Sequence, residues 1–562
     1  MDNRRLMPLL LFVFSLFMLW TEWQKFNQPK VEVQATAASA SVNGSSVPVP
    51  SATSPAPTSS VPDVAPSSQA KGELISVSTD LFVAQVSTQG GDIVGLEFND
   101  YKSTIDKSVQ FSLFEAKHQY AAQSGLIGAG LPNHKTVYRV VEGSRELGPD
   151  DKTVSLRLEA SGGDGVKVAK IITFTRGSYL INVAYEIVNG SKNPIAAHAY
   201  YQLQRDTTAP EGESSMVSTF TGPALYTEQD KYQKLKFDDI EKGKAKFTTQ
   251  ADNGWMAMVQ HYFVSAWVPQ EKQQREFFVR TVETGAKPVV AAGLIVPSPV
   301  VAPGATGGDS VSLYAGPQIQ STLDKLAKPV ADGGIGAVGL PLVVDYGMLT
   351  IVAAPIFWCL EFIHKLVGNW GWAIVLLTVF IKALFFPLSA ASYKSMAKMK
   401  AITPRMTALR ERYGDDKQKL NMEMMNLYKT EKINPLGGCL PILVQIPVFI
   451  ALYWALLGAV EMRDAPWLLW ITDLSSQDPY YVLPVIMMLT MLIQTKLNPT
   501  PPDPIQAKIT MAMPFVFGVM FFFFPAGLVL YWVVNNILSI AQQWQITRMI
   551  ESGGKAANDP KA

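Results

Sequence analysis

The chain is poor in charge. Of its 562 residues only 17 % are Asp, Glu, Lys or Arg, against 48 % hydrophobic. A wholly soluble chain carries roughly a quarter charged residues, so part of this one belongs outside water. The 48 basic and 47 acidic residues leave a net charge of +1. That gives no excess of positive charge for a phosphate backbone and argues against a nucleic acid as substrate. Cysteine is scarcer still. Cys359 and Cys439 lie in different segments, with neither CxxC spacing nor a disulfide framework. They read as two thiols in apolar surroundings.

The bulk figures hide two halves. Residues from about 72 to 330 have the composition of a soluble domain, and those from about 340 to 548 are dominated by long apolar runs. In the first half there is no HExxH, no GxSxG and no GxxxxGK[ST], so no zinc-protease, nucleophile-elbow or phosphate-loop chemistry is written in those forms. His118, His134, His198 and His261 are scattered without metal-ligand spacing. No enzyme activity and no cofactor is expected.

At the N-terminus Arg4 and Arg5 precede the apolar run Leu6–Trp20. The run fits a signal-peptide core or a short membrane helix. The small-residue site Ala38-Ser39-Ala40 lies far beyond it, after Glu22, Trp23, Lys25 and Phe26, so an uncleaved anchor over residues 1–26 is the expectation. The basic pair places the N-terminus inside. Residues 27–71 follow as a spacer, rich in Ala, Ser and Pro from residue 34 on and unable to bury a core.

Residues 72–330 read as an all-β sandwich. Val154, Leu156 and Leu158 alternate strictly, Ile171–Val188 reads as two strands around Arg176-Gly177-Ser178, and Leu74–Val86 behaves similarly. Turn signals recur at Gly90-Gly91, Gly162-Gly163, Asn189-Gly190 and Pro303-Gly304.

Beyond it five stretches are long enough to cross a bilayer: Trp370–Ala391, Leu436–Val460, Tyr480–Leu497, Ile509–Phe524 and Ala526–Trp544. A further stretch, Tyr346–Leu360, has fifteen uncharged residues interrupted by Pro355. Topology decides its fate. The hairpin over residues 393–433 carries Lys394, Lys398, Lys400, Arg405, Arg410, Arg412, Lys417, Lys419, Lys429 and Lys432, against fewer acids, and is expected inside. With an N-in first span, one crossing must bring the chain back. Tyr346–Leu360, within residues 340–368, is therefore expected to lie along the outer interface as an amphipathic helix. Residues 369–548 then form a five-helix core, six spans in all, with the tail 549–562 inside.

Several polar residues interrupt the apolar spans. Lys382 sits within the span Trp370–Ala391, where a charge costs about 2.5–3.5 kcal/mol at the bilayer centre. Snorkelling to the nearby inner end is one reading; a polar cavity is the other. Thr378, one turn earlier, shares its face. In the last span Tyr531, Asn535, Ser539 and Gln542 share a face, flanked by Asn536 and Gln543, and Gln445 lies between Pro441 and Pro447. These groups either line a hydrated groove or bond helix to helix. No acid lies well inside a span, which argues against a proton- or sodium-coupled transporter. In the hairpin Gly414 is expected to end one helix, Asp415 to cap the next, and Pro435 and Gly437-Gly438 to end that one. Met396, Met399, Met406, Met422, Met424 and Met425 make it Met-rich, suiting varied apolar partners or ordinary packing.

Asn369-Trp370-Gly371-Trp372, Ser395-Met396-Ala397-Lys398-Met399, Gly414-Asp415-Asp416-Lys417, Asn434-Pro435-Leu436-Gly437-Gly438-Cys439, Asp478-Pro479-Tyr480-Tyr481 and Gly527-Leu528-Val529-Leu530-Tyr531 carry a resemblance. Over Asp345–Arg548 the chain resembles the YidC/Oxa/Alb insertase family, and the N-terminal anchor and large β domain resemble its Gram-negative branch. The resemblance implies a multi-pass inner-membrane protein with both termini cytoplasmic and a periplasmic β-supersandwich, like sugar-mutarotase folds without their catalysis. It implies a groove open to cytoplasm and lipid. It also implies insertion of nascent membrane proteins, alone or with the Sec translocon, and a ribosome at the cytoplasmic face. Family substrate-contact positions fall on Thr378, Tyr531 and Trp532. The family's groove charge is usually Arg; here it is Lys382, which keeps the charge but loses the bidentate fork. A solute transporter and a membrane-tethered periplasmic enzyme are the competing classes.

Overall fold

The structure is a computed structural model. It describes residues 72–210, 219–283, 287–414, 416–431, 440–498 and 504–557. The expected anchor, the spacer, the hairpin stop at Pro435–Gly438 and the end of the tail lie outside the described residues. The chain divides into two compact units, with the boundary between Val344 and Asp345.

The first unit is a β-sandwich. Strands β1 (Leu74–Ser78), β2 (Phe82–Ser87), β3 (Ile93–Lys102), β4 (Gln110–Ser112), β5 (Ala121–Ile127) and β6 (Arg139–Val140) open it. Next come β7 (Thr153–Ser161), β8 (Lys167–Thr175), β9 (Leu180–Val188), β10 (His198–Asp206), β11 (Gly222–Thr227) and β12 (Lys231–Lys234). The last are β13 (Gln250–Ala251), β14 (Trp255–Val259), β15 (Phe263–Val268), β16 (Arg275–Glu283), β17 (Val289–Pro297) and β18 (Thr306–Pro317). One sheet runs β1-β2-β3-β5-β10-β17-β16-β13 with β4 on β3, and the other β12-β11-β14-β15-β18-β9-β8-β7-β6. Neighbouring strands in both sheets pair antiparallel.

The alternation read from sequence decides which face is inside. Val154, Leu156 and Leu158 of β7 are buried between outward Thr153 and Ser155. The β8–β9 hairpin turns at Gly177, whose φ of +67° suits glycine. The core between the sheets includes Phe98, Phe111 and Phe263, stacked with centroids 4.2–6.2 Å apart. Helix α2 (Gln320–Ala327), which follows α1 (Phe237–Glu241), and the turns to Val344 cluster with this unit.

The second unit is helical: α3 (Thr350–Val367), α4 (Trp370–Leu384), α5 (Phe386–Tyr413), α6 (Lys417–Thr430), α7 (Leu440–Gly458), α8 (Val482–Leu497), α9 (Pro504–Phe521) and α10 (Ala526–Ala557). The expected single span Trp370–Ala391 is two helices bent by 67°. The break falls at Phe385, two residues before Pro387, because proline has no N–H to continue the first helix's ladder, its ring clashes with the carbonyl four residues back, and it sits well in a helix's first turn. Helix α3 is amphipathic in packing: Ala353, Phe357 and Leu360 are buried while Ile351, Trp358, Phe362 and Leu366 are exposed. Among the described residues it is also the one helix long and apolar enough to cross a membrane unaided; α4 with α5, taken as one broken span, is a second. Shorter apolar helices cover Gln445–Gly458, Val482–Leu497 and Ala507–Phe521.

In the hairpin the cap of α6 is Asp416, not Asp415. Its carboxylate accepts the Lys419 amide at 3.0 Å, one turn into the helix. Ile402 and Met406 of α5 form a small core with Met399, Met424, Leu427 and Tyr428, and Arg405 pairs with Glu431 at 2.5 Å.

Candidate functional site

The helical unit is organised around α10, which packs against α4, α5, α7 and α8. Its apolar helical pattern is broken on the inward side by Tyr531, Asn535, Asn536, Ser539 and Gln543, all buried. Each finds a partner across a helix interface. Asn536 donates to the Thr490 hydroxyl of α8 at 3.2 Å, and Gln543 to Asn498 at 3.1 Å. Those two bond helix to helix, as buried amides in an apolar medium must.

Tyr531, Asn535 and Ser539 belong to a different arrangement. Lys382, on the last turn of α4, is 7 % exposed and donates its ammonium to Ser539 Oγ at 2.7 Å. The Ser539 hydroxyl in turn donates to the Asn535 carbonyl at 2.7 Å, and the Tyr393 hydroxyl of α5 lies within hydrogen-bond reach of Ser539. Gln445 of α7 donates to Asn535 Oδ1 at 2.5 Å and lies in hydrogen-bond reach of the Tyr531 hydroxyl. One connected polar seam therefore joins α4, α5, α7 and α10. Beside it opens a small pocket lined by Ile381, Lys382, Phe385, Leu388, Ser389, Gln445 and Val448. The bend at Phe385 shapes this pocket, because Phe385 and Leu388 stand on its two sides.

The structure brings together Lys382, Gln445, Tyr531 and Asn535. Thr378 is buried near them, but its hydroxyl turns back to its own helix, donating to the Ile374 carbonyl at 2.7 Å. Trp532 faces Phe449 edge-on at 4.7 Å and Phe521 at 5.5 Å, an apolar neighbour of the seam. Gln542 is half-buried. Met399 and Met424 pack inside the hairpin and Met396 is half-buried outside its small core; Met422 and Met425 are the exposed methionines there. Sequence reasoning missed Tyr393, which lies just past Pro387 on α5. Its signal was a lone phenol at the start of a basic segment, too weak to read without the bend.

The seam is held in place by the opposite end of the unit. Asn369 caps α4 by accepting the Trp372 amide at 3.1 Å and donates to the Pro466 carbonyl at 3.0 Å. Gly371 allows Trp467 to lie against α4: a Cβ there would fall 2.1 Å from the indole. Asp478 accepts the Leu483 and Tyr480 amides and the Trp470 indole at 2.7, 3.0 and 2.9 Å.

In the β unit each histidine has its own setting. His118 meets Asp206 at 3.1 Å, and His261 stacks on Tyr262. His134 bonds the Tyr200 hydroxyl, and burial pushes its imidazole down to about 3. Lys170 and Asp92, 3.7 Å apart, are both buried. Burial raises the carboxyl to about 7 and lowers the ammonium to about 8. Among the described residues no three His, Cys, Asp or Glu gather as a metal site.

A β-sandwich domain and a helical unit with an internal polar seam around one lysine thus share a single chain. Two family profiles match it: "YidC periplasmic domain" over residues 74–359 and "60Kd inner membrane protein" over residues 362–553. The chain is 64 % identical to the membrane protein insertase YidC of Dechloromonas aromatica, over the full length of both, and 57 % identical to that of Aromatoleum aromaticum, over 98 % of both. A crystal structure of an active YidC insertase aligns with 84 % of this chain and 94 % of its own, at 17 % identity and a TM-score of 0.40. The class is that of the membrane protein insertases. The chain belongs to the YidC family.

Proposed function

We propose that the seam around Lys382 is where this insertase receives its substrate. A nascent apolar segment slides along the lipid-facing side of the unit while its polar or acidic flank enters the pocket beside Lys382 and Gln445. There the ammonium and the amides replace water and lower the cost of burying the flank. The flank leaves on the outer side, and the apolar segment partitions into lipid. That last step is downhill by the hydrophobic effect and needs no nucleotide.

The observation that carries this reading is the burial of Lys382 with a neutral hydroxyl as partner. A cation in an apolar unit is expensive, and the Ser539 hydroxyl does not neutralise it, so the charge remains available to an incoming carboxylate. Helix length supports the same reading. At 1.5 Å per residue α4 spans about 22 Å and α8 about 24 Å, short of a hydrocarbon core of roughly 30 Å. The bilayer must thin around them or the chain continue beyond them, and thinning shortens the polar flank's path.

In this reading α5–α6 is cytoplasmic and the β domain periplasmic, both termini are cytoplasmic, and α3 lies at the outer interface. Glu361, His364 and Lys365 interrupt its last turns and suit headgroups. The unit then has six crossings with the N-terminal anchor, and the hairpin's exposed Met422 and Met425 with its basic residues meet nascent chains, the ribosome and the Sec translocon. The test is site-specific photocrosslinking from Gln445 and Trp532 to a stalled nascent chain. Adducts to the flank at Gln445 and to the apolar segment at Trp532 are expected. Adducts confined to the β domain would contradict the assignment.

A further inference from the structure

The segment between α7 and α8 contains eight consecutive uncharged residues, Ala465-Pro466-Trp467-Leu468-Leu469-Trp470-Ile471-Thr472. Its backbone is closed on itself. The Trp467 amide donates to the Ile471 carbonyl at 2.9 Å, the Ile471 amide to Leu468 at 3.1 Å, and the Leu474 amide to Ala465 at 3.0 Å. Its flanks are fastened to the unit beneath. Asn369 holds the Pro466 carbonyl, and Trp467 packs on Gly371 with Trp372 edge-on at 6.0 Å. Trp470 is tied to Asp478, and Ile471 is buried. Two side chains are left at the tip: Leu468, 43 % exposed, and Leu469, 85 % exposed.

Leu469 also has a φ of +53°. Left-handed backbone favours Gly or Asn, and in a water-facing turn those residues would serve better. Here the loop holds a leucine in that conformation and points it outward. The loop and the start of the next helix carry Trp467, Trp470, Tyr480 and Tyr481, with Tyr480 edge-on to Trp470 at 6.1 Å and the two tyrosines 70 % and 46 % exposed, which is the residue composition of a membrane–water interface. The carboxylate of Asp473 is turned inward, accepting from Ser475 and Ser476, so the tip itself carries no charge.

We infer that the Leu468-Leu469 tip is a wedge that inserts into the acyl region of the bilayer leaflet opposite the basic hairpin. The occupant is lipid. Two leucines on a convex turn are far too small an area for a stable protein interface, and the tip joins helices whose outward faces are apolar, Val485, Ile486 and Leu489 among them. The wedge fixes the depth of the α7–α8 end, while the aromatic side chains hold the loop's base at the headgroups. This rests on the topology proposed above.

The test uses the full chain with Cys359→Ser and Cys439→Ser, reconstituted in phosphatidylethanolamine–phosphatidylglycerol vesicles without other proteins. A Leu469→Cys variant carries an environment-sensitive fluorophore, with exposed Asp150→Cys as the aqueous reference. The expected result is blue-shifted emission, loss of iodide quenching relative to the reference, and quenching by lipids spin-labelled near the top of the acyl chain. Emission like the reference, quenched by iodide, overturns the wedge. So does protection from both quenchers, which would mean that protein covers the tip. A third labelling arm separates failure of the topology. Impermeant quencher added from one side should distinguish Leu469→Cys from Lys419→Cys on the hairpin; equal access from that side overturns the leaflet assignment and the topology together.

Discussion

Replacing Lys382 by Met removes the charge while keeping the length of the side chain, and it should move activity and stability differently. The ammonium loses its hydrogen bond to Ser539, a charge-assisted bond of about 1.5–3 kcal/mol. It also loses the cost of holding a charge in an apolar unit, about 2.5–3.5 kcal/mol at the bilayer centre. Ser539 keeps its bond to the Asn535 carbonyl, so no buried hydroxyl is orphaned. The two effects nearly cancel, and thermal stability in detergent should be unchanged or slightly raised, as when a buried charge gives way to an apolar side chain. Activity should not be spared. A carboxylate about 4 Å from the ammonium at an effective dielectric constant near 20 gains about 4 kcal/mol. Allowing half for hydration and mobility leaves about 2 kcal/mol, or roughly 30-fold in rate. The assay is insertion into proteoliposomes of a single-span substrate whose translocated tail carries Asp, beside the same tail with Asn. The variant should lose about 10- to 100-fold on the Asp tail and little on the Asn tail, and Lys382→Arg should retain both. Equal losses on the two tails, or a clear fall in stability, would refute the charge-attraction step.

Three further outcomes follow from the same structure. Gly371→Ala places a Cβ 2.1 Å from the Trp467 indole and should cost about 1–3 kcal/mol of stability, read as a lower unfolding midpoint that Trp467→Ala partly restores. Asp478→Ala removes three hydrogen-bond acceptor contacts at the start of α8 and should cost about 2–3 kcal/mol, measured as faster proteolysis of the α7–α8 loop. The third concerns pH. His134 has its pKa lowered to about 3 by burial, so the unfolded chain binds the proton first; its contribution is intact above pH 6.5 and is lost as pH falls toward 3. At pH 5 that is about 2 kcal/mol. Asp92, raised to about 7 by burial, acts in the opposite direction, since the folded state keeps its proton where the unfolded state does not. The comparison is therefore between urea unfolding curves of wild type and His134→Gln at pH 7 and pH 5: the variant should gain about 2 kcal/mol relative to wild type at the lower pH, and parallel behaviour would exclude His134 as the source.

The β-sandwich was legible because alternation is a local signal: Val154, Leu156 and Leu158 face one way whatever sheet they join. The polar face of α10 was legible for a similar reason, since Tyr531, Asn535 and Ser539 recur every four residues and helical spacing alone puts them together. What could not be read was which partner each group meets. Asn536 and Gln543 flank the same stripe, yet they bond α8 and Asn498 rather than the lysine, because partner choice depends on how α8 packs. Thr378 shares a face with Lys382, but a threonine in a helix has its own carbonyl four residues back as a competing acceptor. The bend at Phe385 was within reach of the sequence, since Phe386-Pro387 marks a helix boundary, but the apolar run continued through it and hid the break. The hairpin cap moved from Asp415 to Asp416 because capping needs a carboxylate three residues before the amide it accepts.

In the proposed mechanism this chain by itself moves a polar flank across the bilayer through the Lys382 seam. The direct measurement is insertion of a small single-span substrate into vesicles containing only the purified full-length chain. Correctly oriented, protease-protected substrate, with the protection lost selectively in Lys382→Met for acidic tails, is the predicted result. Absence of insertion by a well-folded preparation, or insertion indifferent to Lys382 for acidic and neutral tails alike, would contradict it.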